Sequence, residues 1–158
     1  MNKGLRIALV VTTCLVIGYL SGMETRESIT TWYPTLIKPS FNPPNWIFAP
    51  VWTTLYIMMG VAGGLFWNHI EAQPELVKKG FKFFIIQLVL NALWSYLFFS
   101  LHNPFLALIE IILLLLMIFE TYTIFKKVDR IAGILLIPYL AWVSFAMILN
   151  ASIWWLNK

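Results

Sequence analysis

Five long apolar runs constrain this chain more than any other feature. They are Ile7 to Met23, Trp46 to Trp67, Phe83 to Leu101, Pro104 to Phe125 and Ile131 to Leu156. A helix needs about 20 apolar residues to cross the hydrocarbon core of a bilayer. Helix is the economical form there, because a lipid-facing backbone must satisfy its own hydrogen bonds. The runs also lack the two-residue alternation of barrel strands. The expectation is an all-α integral membrane protein. A single domain over 1–158 would hold a five-transmembrane-helix bundle, with helices at roughly 5–23, 46–68, 81–101, 104–125 and 131–156. Composition agrees: 60% of the residues are hydrophobic and 11% charged, where a soluble domain has about 45–50% and 25%. The basic start of the first run also fits a cleaved signal peptide. It lacks a small-x-small cleavage site before Glu24, so an uncleaved helix is expected.

Charge placement sets the orientation. With five spans, Lys3, Arg6, Lys78, Lys79, Lys82, Lys126, Lys127 and Arg130 fall on one side, and Arg26, Lys38 and Lys158 on the other. The positive-inside rule puts the first group, and the N-terminus, in the cytoplasm. The C-terminus and the loop between helices 1 and 2 then lie outside. The net charge of +4 is modest and nothing suggests a nucleic-acid partner. The single cysteine, Cys14, can form no internal disulfide and no thiol cluster for zinc. His69 and His102 fall on opposite sides and cannot jointly ligate a haem iron. No Ser-His-Asp set, P-loop or metal motif is present, so no metal site is expected.

Most connections are short. Leu101 to Pro104 makes a tight turn, with proline suited to open the fourth helix. The exception is the loop of about 22 residues from Glu24 to Asn45, a length that is unusual and often functional. It carries Trp32, Tyr33, Leu36, Ile37 and Phe41, so it is expected to pack over something as a lid. Pro34, Pro39, Pro43 and Pro44 suit a stiff, extended segment.

Three helical faces are candidates for a site. Phe48, Trp52 and Tyr56 recur at i, i+4, i+8, and Gly60 and Gly63 continue the line without bulk. Ordinary helix packing and one wall of a flat pocket both fit that face. Gln87, Asn91 and Ser95 form a polar line on the third helix, beside Trp94. Polar groups at membrane depth face the bundle interior, where they bond to other helices or to a ligand. Tyr139, Trp142, Ala146 and Leu149 share a face of the fifth helix, with Asn150 adjacent, and Pro138 can kink that helix. Glu110 and Glu120 lie within the fourth run, and an intramembrane carboxylate raises the alternative of a transporter. Glu120 is near enough to the helix end to snorkel or to pair with Lys126 or Lys127. Gly18-x-x-x-Gly22 and Gly60-x-x-x-Gly64 match the small-residue association pattern, within the bundle or between copies.

The motifs together resemble a known family. The run Trp32-Tyr33…Leu36…Lys38-Pro39…Pro43-Pro44…Phe48…Pro50-Val51-Trp52-Thr53…Leu55-Tyr56…Met59-Gly60 is similar to the signature of the translocator protein family, also called TspO/MBR, the tryptophan-rich sensory proteins or peripheral-type benzodiazepine receptors. Gln87…Leu90-Asn91…Trp94-Ser95…Phe98-Phe99 and Pro138-Tyr139-Leu140-Ala141-Trp142…Phe145-Ala146…Leu149-Asn150 match it as well.

The resemblance implies a receptor with a pocket inside each five-helix protomer, often paired as a homodimer, and the long loop as its lid. The implied ligands are porphyrins such as protoporphyrin IX and other flat hydrophobic molecules. The porphyrin would be ligand or substrate, with no resident cofactor. By position, the ligand-binding residues would be Tyr33, Pro43, Pro44, Phe48, Trp52, Asn91, Trp94, Trp142, Ala146 and Leu149. Light-dependent oxidative breakdown of bound porphyrin, as in bacterial members, would fall to Trp52 and Trp142. Transport of tetrapyrroles is the alternative. Animal members carry a tyrosine after the Leu-Asn pair in a cholesterol-associated segment. Here Leu149-Asn150 is followed by Ala151-Ser152-Ile153-Trp154, which argues against steroid binding.

Overall fold

A computed structural model describes residues 1–158. It is all helical: α1 (Lys3–Thr31), α2 (Asn45–Trp67), α3 (Pro74–Ser95), α4 (Pro104–Val128), α5 (Arg130–Leu135) and α6 (Ile137–Asn157). A wide π-helical turn, Tyr96–Ser100, extends α3, and a short 3-10 turn covers Tyr33–Thr35. Five helical stretches are long and apolar enough to cross a membrane, α5 and α6 together forming the last. The protein is a multi-pass membrane protein. Helix α1 packs mainly on α2, α3 on α4, and α4 on α6.

The element boundaries depart from the expected ones where charge and proline act. Helix α1 runs to Thr31, about two turns beyond Met23. Glu24, Arg26 and Glu27 are exposed on these turns. Charge therefore ends the apolar run without ending the helix. Side chains tie the extension down: Ser100 donates to Glu24, and the Ser28 hydroxyl lies 3.5 Å from His102 Nε2. The loop shortens to residues 32–44. Helix α3 opens at Pro74, not near residue 81, because proline at the first helical position gives up an amide that had no partner. Its first turns carry Lys78, Lys79 and Lys82 on the outside. The last span breaks at Leu136, two residues before Pro138, which has no N–H for the preceding turn.

One end of the bundle is closed by direct contact. A Cβ on Gly60 would overlap the backbone of Val11, and one on Gly64 the backbone of Ile7. The absent side chains let α1 and α2 meet backbone to backbone. Gly63 is filled too, by Val10 and Phe84. Gly60 and Gly63 are thus packing positions and do not extend a pocket wall. Nearby, the Phe66 and Phe125 rings stack at 3.9 Å.

The same end, rich in lysine, is stapled by polar contacts. Arg6 makes a forked pair with Glu71, Nη2–Oε1 2.6 Å and Nη1–Oε2 3.3 Å. The Arg6 hydrogen bonds hold the Glu71 carboxyl at about 2, well below its ordinary value. His69 Nε2 lies 3.0 Å from Asp129 Oδ2. Burial works to raise the Asp129 carboxyl. The Ala132 amide, His69 and the Ile131 amide outweigh it, and the group sits below its ordinary value. Asp129 thereby caps α5 and ties the α2–α3 connection to the α4–α5 junction.

Candidate ligand cavity

At the opposite end the helices diverge. The change along the α1–α2 seam is gradual. Gly18 is occupied by the Tyr56 ring, but a Cβ on Gly22 would meet nothing within 4 Å. The seam opens at Gly22 onto a cavity of about 540 Å³ whose lining reaches inward to Gly18 and Leu15. That is within the 300–1,000 Å³ typical of small-molecule sites.

Four helices and the loop supply the wall. Helix α2 contributes Phe48, Trp52 and Tyr56, the face set by their four-residue spacing. Helix α6 contributes Trp142, Phe145, Ala146 and Leu149. Trp94 comes from α3, and Phe98 and Phe99 from its wide terminal turn. Such a turn holds one residue more than an α-turn. Here both of these neighbouring phenylalanines are buried. Helix α1 supplies Leu15, Gly18, Tyr19, Gly22, Arg26 and Ile29.

The rings brace one another. Trp52 lies 5.7 Å from Tyr56 and 6.4 Å from Tyr139. Phe48 meets Trp142 edge to face at 6.4 Å, and Trp142 lies 5.4 Å from Phe145. Trp94 stacks on Phe98 at 5.4 Å and gives its indole N–H to Asn150 Oδ1 at 3.0 Å. Asn150 in turn donates to the Pro104 carbonyl.

The 32–44 segment crosses this end of the bundle. Tyr33 is buried against Phe48, Phe98 and Phe99, and its hydroxyl donates to Asn42 at 2.7 Å. Phe41 lies 6.2 Å from Phe145. Trp32 stacks on His102 at 4.3 Å. His102 has φ +51°, which costs a non-glycine residue energy that this stack helps to offset. Asn157 of α6 holds Ile37 by both backbone groups, accepting from its N–H at 2.9 Å and donating to its carbonyl at 2.8 Å.

Seven of the sequence-derived candidates meet around the cavity: Tyr33, Phe48, Trp52, Trp94, Trp142, Ala146 and Leu149. Pro43, Pro44 and Asn91 do not line it. Asn91 is buried behind the aromatic wall, accepting from the Tyr56 hydroxyl at 2.6 Å and donating to the Tyr139 hydroxyl at 2.8 Å. Tyr139 then donates to Gln87 Oε1 at 2.7 Å. The polar line of α3 is thus interhelical at Gln87 and Asn91, and reaches the cavity only at Ser95. Pro43 and Pro44 lead into α2.

The sequence-derived binding residues leave out the α1 wall. Its signal was Gly18-x-x-x-Gly22, read only as an association motif. Glu110 lies outside the cavity, 5% exposed, with neither carboxylate oxygen partnered.

Two cations at this end of the bundle differ in how they are held. Lys38 donates its amine to the carbonyls of Tyr33 and Leu36 at 2.9 and 3.0 Å. Arg26 lines the cavity, with its guanidinium 5.3 Å over the Tyr19 ring.

Comparison with known proteins gives a consistent result. The sequence model of the TspO/MBR family matches residues 10–156. The chain is 44% identical to the tryptophan-rich protein TspO of Chlorobaculum tepidum, across 99% of each chain. It is 39% identical to protein CrtK of Rhodobacter capsulatus over 80% of this chain and 78% of that one. It is 36% identical to the translocator protein of Bos taurus over 89% of this chain and 83% of that one.

Proposed function

The chain belongs to the TspO/MBR family, and on that premise we propose that it is a membrane receptor whose cavity takes flat, mostly apolar ligands of the porphyrin class. The observation that carries this reading is the aromatic wall: Trp52, Trp94 and Trp142 around one space of about 540 Å³. A macrocycle such as protoporphyrin IX buries its ring system against such faces. Each ring pair contributes about 0.5–1.5 kcal/mol beyond burial itself. The 32–44 segment acts as a roof, with Tyr33 as its inner face. By the positive-inside rule this end of the bundle lies outside the cytoplasm.

Light adds a reaction to binding. The excited porphyrin passes an electron to dioxygen, and the superoxide formed recombines with the ring radical cation, so that both oxygen atoms enter the ring that is opened. Trp52 and Trp142 exchange an electron with that radical cation in this reading, and the protein supplies position and shelter. The test compares Trp52→Phe and Trp142→Phe with wild type in detergent, with protoporphyrin IX under illumination. Loss of breakdown with binding retained supports the reading. Unchanged breakdown in both variants, at unchanged affinity, rejects the tryptophan role.

The lining favours binding over passage. Its residues run from the loop end to about mid-bundle, at Leu15, Tyr56 and Trp142, and none comes from the lysine-rich end. Saturable porphyrin flux in proteoliposomes would reverse that preference.

A further inference from the structure

We propose that Arg26 is the specificity-determining residue of this cavity: among flat apolar ligands it selects those bearing a carboxylate or comparable anion. This rests on the ligand reading above and adds to it a polarity, with the charged end of the ligand at the α1–α2 opening and its ring system inside.

The first support is position. Arg26 stands on the exposed rim of the opening, one helical turn beyond Gly22, where a side chain would meet nothing. A ligand lying between Trp52 and Trp142 can extend past Gly22 to reach it without displacing a packed group.

The second is availability. The ion pairs of the structure are Arg6–Glu71, His69–Asp129 and Lys78–Glu75. Arg26 takes part in none, although Glu24 and Glu27 share its helix. Glu24 is engaged by Ser100. The other cations of this end are committed elsewhere: Lys38 to two backbone carbonyls, and Lys158 to the Trp155 ring at 3.2 Å. Neither lines the cavity.

The third is chemistry. A guanidinium presents a planar fork that matches a carboxylate with two parallel hydrogen bonds. The Tyr19 ring restrains the group by cation–π contact and leaves its edge free. The apolar wall beside it strengthens a charge pair relative to one in open water.

The experiment is a titration of purified protein in a neutral detergent at low salt. The probes are protoporphyrin IX and its dimethyl ester, which share a ring system and differ in charge. Wild type should bind the acid at least about tenfold tighter than the ester, the scale of one charge-assisted hydrogen bond. Arg26→Gln should erase most of that preference by weakening the acid alone, and Arg26→Lys should recover part of it. Added salt should weaken the acid in wild type and hardly in Arg26→Gln. If Arg26→Gln holds the acid as tightly as wild type, the inference is overturned and the ligand reading stands. Equal losses of acid and ester would mark Arg26 as merely structural and also overturn it. Wild type that binds neither probe removes both proposals together.

Discussion

The two ends of this bundle use the same residue types to opposite effect. At the lysine-rich end, glycines on α2 admit the α1 backbone, and Phe66 and Phe125 stack at 3.9 Å. At the loop end, glycine at 22 faces empty space and the aromatic rings stand around a cavity. Neither glycine nor aromatic content distinguishes the ends. What differs is whether a second helix approaches closely enough to fill the gap. One closed end fixes the relative placement of α1 and α2, and the other end can then stay open without losing its shape.

The strongest way to break this contrast is to wedge the closed end. Gly60→Val puts a side chain onto the Val11 backbone, which has no flexible tip to yield. A destabilisation of about 3 kcal/mol or more is expected, at the upper end for overpacked cores. It should show as a large fall in melting temperature in detergent and a loss of ligand binding.

Next is the polar network behind the wall. Tyr139→Phe strands Gln87 Oε1 and Asn91 Nδ2 in a dry interior. The expected cost is about 1–3 kcal/mol. Because Trp52 rests edge-on against Tyr139, the variant should also shift the Trp52 emission.

Gly22→Ala sharpens the comparison from the open side. With nothing near the added methyl, helix propensity decides, and the variant should gain up to about 1 kcal/mol. The same glycine-to-alanine change at Gly60 should destabilise. Equal effects at the two positions would show that the ends do not differ as described.

The smallest effect concerns the Arg6–Glu71 staple. The folded Glu71 carboxyl lies at about 2, below its ordinary value of 4.5. Its contribution is therefore fully present above 4.5 and is lost as pH falls toward 2. Glu71 is exposed and solvent screens the pair, so the change should be slight. Melting temperature followed between pH 5 and 2 should fall slightly more for wild type than for Glu71→Gln.

Much of the fold was legible because the bilayer demands it. Five apolar runs became five spans, and proline placed the break near Leu136. The end of α1 was not legible, since Glu24, Arg26 and Glu27 signal departure from lipid and say nothing about helix continuation. Within the site, four-residue spacing correctly grouped Phe48, Trp52 and Tyr56. Spacing cannot tell a residue at a surface from one behind it, and Asn91 fell on the wrong side of that distinction. The α1 contribution escaped for a similar reason. A small residue shows only that space exists, and Gly60 and Gly22 look alike until the neighbouring helix is in place.

The contact between Asn157 and Ile37 joins residues 120 positions apart. The 32–44 segment leaves the ribosome early, but its anchors emerge in stages: Phe98 and Phe99, then Phe145, and Asn157 last of all. During synthesis the wall and the segment across it are therefore completed together, because the final span carries both the Trp142–Leu149 face and the Asn157 anchor.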